Sequence, residues 1–96
     1  MIRHLIFLTF KPEIQDADIA AIERGLAALP AKIQDISSFE FGRDIVRSER
    51  SCDFALVSSF ADLEALKRYQ VHPDHQAVLA KVKAACSQIQ AVDYEY

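Results

Sequence analysis

Three residues of this chain combine chemical capability with an apolar setting: Tyr69, His75 and His4. His75 falls on the stripe His75, Val78, Leu79, Val82, Ala85 and Cys86, spaced i, i+3, i+4, i+7, i+10 and i+11. A helical face of that kind points at the protein interior and carries the imidazole with it. His4 lies in the middle of an alternating strand face, Ile2, His4, Ile6, Leu8 and Phe10. If the helix covers that face, the two histidines approach each other beneath it, and Tyr69 is close enough in sequence to reach the same space. An imidazole can take up or release a proton near neutral pH, and a phenol can donate a hydrogen bond or act as an acid. With Phe54, Leu56, Val78 and Leu79 as walls, such a group has the character of a small-molecule site with few polar atoms. A histidine on an apolar face is more commonly structural, held by one hydrogen bond. The company of Tyr69 is what favours a catalytic His75, with His4 in support.

Other chemistries find less in the sequence. His72 and His75 flank Asp74, but a metal site needs three or four ligands in defined geometry, and no further cluster is present, so no metal is expected. His72, placed before Pro73, suits a helix cap. The two glycines, Gly25 and Gly42, form no phosphate-binding loop, and no cofactor is implied. The net charge of −3 is spread over interspersed acids and bases, without the basic stripe that nucleic acid requires. No apolar run is long enough for a membrane span. Cys52 and Cys86 fit no metal or redox spacing, and isolated cysteines without a leader point to reduced thiols and a cytoplasmic protein.

The elements that must position these residues read as one domain over 1–96. Ile2–Phe10 is a strand stopped at Lys11-Pro12. Asp16 or Asp18 caps a helix whose face is Ile19, Ile22, Leu26 and Leu29, ending at Pro30. Ile36–Ile45 is a second strand with a bulge or bend expected at Gly42, and Asp53–Phe60 is a third, after a polar connection. Asp62 caps a short helix, Leu63–Tyr69, and a further helix runs from Pro73 to about Cys86. Gln88–Tyr96 is the last strand, with Asp93 and Glu95 expected in solvent. The order β-α-β-β-α-β, with its second helical part split, is the α+β ferredoxin-like pattern: a four-stranded antiparallel sheet with helices on one face.

The uncovered face should then be polar, yet it would carry Leu5, Phe7, Ala55, Val57 and Val92, joined by Phe39 and Phe41 if those strands so face. The chain is 51% hydrophobic in only 96 residues. A chain this short buries roughly 60% of its unfolded surface, so the surplus calls for a cover. The simplest cover is a second copy, a homodimer packed sheet to sheet.

Several segments carry a family resemblance. Ile2-Arg3-His4-Leu5-Ile6-Phe7-Leu8, Phe10-Lys11-Pro12, Ser38-Phe39-Glu40-Phe41-Gly42-Arg43, Tyr69-Gln70-Val71-His72-Pro73-Asp74-His75-Gln76 and Val92-Asp93-Tyr94 together resemble the stress-response A/B barrel (Dabb) domain. The likeness implies a dimeric α+β barrel. It also implies site residues: in a plant member that closes a polyketide ring, olivetolic acid cyclase, the catalytic His and Tyr fall on His75 and Tyr69. A pocket His of that cyclase falls on His4. Where it has a further His and Tyr, this chain has Phe54 and Leu26.

Overall fold

The computed structural model describes all 96 residues. Its elements are β1 (Ile2–Phe10), α1 (Asp16–Lys32), β2 (Ile36–Arg43), β3 (Phe54–Phe60), α2 (Leu63–Val71), α3 (Pro73–Ala85) and β4 (Cys86–Glu95). The strands form one antiparallel sheet in the order β2-β3-β1-β4, with β2 and β4 as its edges. The expected ferredoxin-like α+β fold is the observed one. No helix is long and apolar enough to cross a membrane.

Local chemistry accounts for where the helices begin. Asp62 accepts from the Ala65 N–H at 2.8 Å and so caps α2. His72 caps α3: the Asp74 N–H donates to its Nδ1 at 3.1 Å, and Pro73 occupies the first turn, where its missing N–H is harmless. At α1 the cap position is Gln15, not Asp16 or Asp18. Asp18 reaches back instead and accepts from the Gln15 N–H at 2.9 Å.

Two further expectations are corrected. Pro30 lies inside α1, which continues to Lys32. Proline disfavours helical backbone in the residue before it and forfeits its own donor, and one lost bond in a last turn is tolerated. Gly42 pairs regularly with Ala55, and the register irregularities fall instead between Ile36 and Ser38 and between Thr9 and Phe10.

The core lies between the helices and the inner sheet face. Ile2, Leu8, Phe54, Leu56 and Phe60 rise from the sheet to meet Ile22, Leu26 and Leu29 of α1, Leu66 of α2, and Val78 and Val82 of α3. Phe39 and Phe41 belong to this side: Phe39 packs near Tyr69, and Phe41 stacks on Phe54 with ring centroids 5.9 Å apart. The other face holds Leu5 opposite Val57 and Val92, and Phe7 opposite Ala55. The helices leave β4 largely bare, since every residue of it after Cys86 is exposed.

Leu29 is 1% exposed within this core. Leu29→Ala is expected to cost about 2–5 kcal/mol, as large-to-small core changes do. Urea unfolding checks this through a lower midpoint at unchanged slope.

Candidate functional site

The break between α2 and α3 sets the site. Tyr69 is the last inward residue of α2, and His75 stands in the first turn of α3. The His72-Pro73 corner folds the second helix back over the first, so the two rings meet with centroids 4.3 Å apart. Tyr69 is 1% exposed and is ringed by Phe60 at 4.9 Å, Phe39 at 6.3 Å and His4 at 6.3 Å. Tyr69, His75 and His4 are therefore brought together from three elements.

Each polar group has a defined state. The His75 Nδ1–H donates to the Gln70 carbonyl at 3.0 Å, which leaves Nε2 as the free lone pair of a neutral ring. The Gln76 amide donates to the same carbonyl and holds the corner. Burial lowers the His75 pKa, and the positive charge of His4 or His72 would lower it further. The Gln70 bond opposes both. Burial alone pushes the Tyr69 phenol upward, so it stays protonated as a donor. Arg3 Nε is the one fully enclosed side-chain polar atom without a partner.

His4 is 5% exposed, and its Nδ1–H donates to the Asp93 carboxylate of β4. Its backbone carbonyl accepts from the buried Ser58 hydroxyl at 3.3 Å. Asp93 is exposed, as its residue type leads one to expect, and accepts the His4 bond from the edge of the sheet. The strand period sets its side: Val92 and Tyr94 point outward, so Asp93 must point inward, and the register sets it opposite His4. The carboxylate fixes the imidazole tautomer and the ring's orientation.

The expected walls divide. Leu56 and Val78 are buried in the core and Leu79 is half-buried, one turn beyond His75 on the same face. Phe54 is not part of the group. It packs with Phe10 and Phe41, four residues along β3 from Ser58, or about 13 Å at strand rise. Beside His4 the inner face of β4 is bare: Ala91 and the Asp93 side chain are exposed. No group of three or more His, Cys, Asp or Glu side chains is placed to hold a metal ion.

The fold and this cluster define a ferredoxin-like domain with a histidine–tyrosine group under its split helix. The chain belongs to the stress responsive A/B barrel domain family, whose model matches residues 2–96. An uncharacterised protein of Streptomyces coelicolor is 33% identical, over the whole of both chains. A dimeric ferredoxin-like protein of unknown function from Thermobifida fusca superposes with a TM-score of 0.91 at 27% identity, covering 99% of this chain and 90% of that one. A second such dimeric protein, from Bacteroides fragilis, gives 0.87 at 26%, covering 99% and 95%.

Because folding disfavours protonated His75, the unfolded chain binds more protons between the two pKa values. Stability is therefore expected to rise with pH through the window just below 6.5, the ordinary histidine value. Urea midpoints across that window should rise less steeply in His75→Gln. An unchanged slope in the variant would show that His75 is not the source.

Proposed function

We propose that this protein acts as a homodimer of single-domain subunits, each binding a small, largely apolar molecule at Tyr69, His75 and His4. The observation that carries this is the Tyr69–His75 contact: a protonated phenol, packed against Phe39 and Phe60, beside a half-buried imidazole whose Nε2 is free. One donor and one acceptor at the edge of an apolar space can orient a ligand carrying a single hydroxyl or carbonyl group. Leu79 and Ile6 supply apolar surface next to it, with Leu56 and Val78 behind. The dimer follows from the apolar outer face and from the dimeric state of the related Thermobifida and Bacteroides proteins. Free Cys52 and Cys86 suit the reducing cytoplasm, where we place it.

The free Nε2 of His75 also favours a second reading, cofactor-independent proton transfer on a carbon acid. His75 would accept the proton, and the Tyr69 hydroxyl would donate a hydrogen bond to the developing enolate oxygen. His4, oriented by Asp93, would support both rings.

Two measurements test these readings. 4-Propylphenol should perturb the imidazole NMR signals of the wild type and bind at least tenfold more weakly to Tyr69→Phe and His75→Ala. Equal binding by all three would refute the site. For proton transfer, deuterium exchange into acetophenone should exceed the buffer rate with the wild type and fall to it with His75→Ala, while circular dichroism shows a folded variant.

A further inference from the structure

Gly25 stands in the middle of α1, a place where glycine weakens a helix. No turn asks for it, since its φ is not positive. Its reason lies across the helix interface. A Cβ built on it would sit 3.2 Å from Cγ2 of Val78, 3.6 Å from Cγ1 and 3.9 Å from Cβ. Carbon atoms pack best at about 3.5–4.0 Å. The Val78 isopropyl group therefore rests on bare glycine backbone, and a methyl group there would force it away by a few tenths of an ångström. Valine in a helix has one favoured χ1 rotamer, so its side chain cannot swing clear. A helix must move instead. It is not α1, whose Ile22, Leu26 and Leu29 are buried against the sheet.

The helix that yields is α3, and Val78 lies three residues after His75 on one face of it. This helix is held unequally. At its C-terminal end it passes into β4 with no loop, and the Lys11 N–H donates to the Ala85 carbonyl at 2.9 Å. At its other end it is joined to α2 through the His72-Pro73 corner. A push at Val78 therefore tilts α3 about Ala85. The displacement grows by about 1.4-fold on reaching His75, which lies farther from that pivot at a uniform rise per residue.

We propose that Gly25 is a positioning residue for the Tyr69–His75 site: it lets Val78, and α3 with it, settle at the depth where the His75 ring meets Tyr69. The inference rests on the ligand-binding reading above and names what sets the height of its acceptor, the free Nε2 of His75. Gly25 acts here through Val78 alone.

NMR of the full chain tests this without a ligand. The imidazole signals of His75 lie in the ring current of Tyr69 and report the separation of the two rings. In Gly25→Ala they should shift, while those of His4, held to β4 by Asp93, stay in place and circular dichroism remains native. 4-Propylphenol should bind about threefold more weakly, the loss that a displacement of a fraction of an ångström gives. Adding Val78→Ala to Gly25→Ala should restore both the signals and the affinity. Val78→Ala alone lets α3 settle closer and should move the signals the opposite way, which keeps the test open if Gly25→Ala folds poorly. Unchanged His75 signals in folded Gly25→Ala or in Val78→Ala would overturn the proposal. So would a shift in Gly25→Ala that Val78→Ala does not reverse, because the push would then not pass through Val78. If 4-propylphenol does not bind the wild type, the ligand-binding reading falls, and the His75 signals still decide whether Gly25 sets the ring.

Discussion

A four-stranded sheet has two faces, and this chain has helices for only one of them. Everything else in the molecule follows from that shortage. The inner face is packed under α1, α2 and α3, and its strands contribute Ile2, Leu8, Phe54 and Phe60 to a continuous core. The outer face is nearly as apolar but has no cover of its own. Burial contributes roughly 25 cal/mol for each Å² of apolar surface removed from water, so an exposed face of this size strongly favours association. The dimeric state of related proteins meets the same constraint.

The shortage also creates the site. Helices that cover β1, β2 and β3 cannot also reach across β4, so the inner face stays open along that edge. The helical segment after β3 does not cross in one piece. It stops at His72-Pro73 and restarts, and the corner turns His75 back onto Tyr69. Polar groups buried here are held by specific partners: Gln70 for His75, Asp93 and Ser58 for the two ends of His4. An imidazole without such partners would be a costly inclusion in the core. With them it is fixed in tautomer and direction, which serves structure and chemistry equally.

The electrostatics inside this cluster come mainly from burial rather than from opposing charges. Desolvation is the largest influence on His75 and the cause of the shift at Tyr69, and it drives both toward their neutral forms. Asp93 is the charged member, and it sits on the edge strand, partly in solvent. The polarity thus grades from a wet carboxylate at the rim, through His4, to a dry phenol within. The acids and bases of the outer loops are a separate matter: Arg43 bridges Asp16 and Glu23, and Arg47 bridges Asp44 and Asp53, tying the hairpin to its surroundings.

Much of this was legible from residue order alone. Alternation in Ile2–Phe10 and the i, i+3, i+7 spacing of α1 are local signals with fixed periods, so they reported element type and inward face directly. The Tyr69-to-His75 segment was readable because proline and a capping histidine mark a helix start through local backbone chemistry. The misreadings had different causes. Asp93 is solvated as expected, but its bond to His4 was not legible, because the two lie 89 residues apart and meet only across a strand register. Phe39 and Phe41 could not be assigned a face because alternation gives two sides without saying which is covered. Phe54 seemed a pocket wall because it shares a face with Ser58, and only the distance along β3 separates it from Tyr69. The sequence by itself determined the elements, their amphipathic faces and the surplus of apolar surface, since these depend on neighbours a few residues apart. Tertiary structure decided that His4 meets Asp93 and that Phe54 stands away from the cluster, because each depends on the register between strands that are distant in the chain.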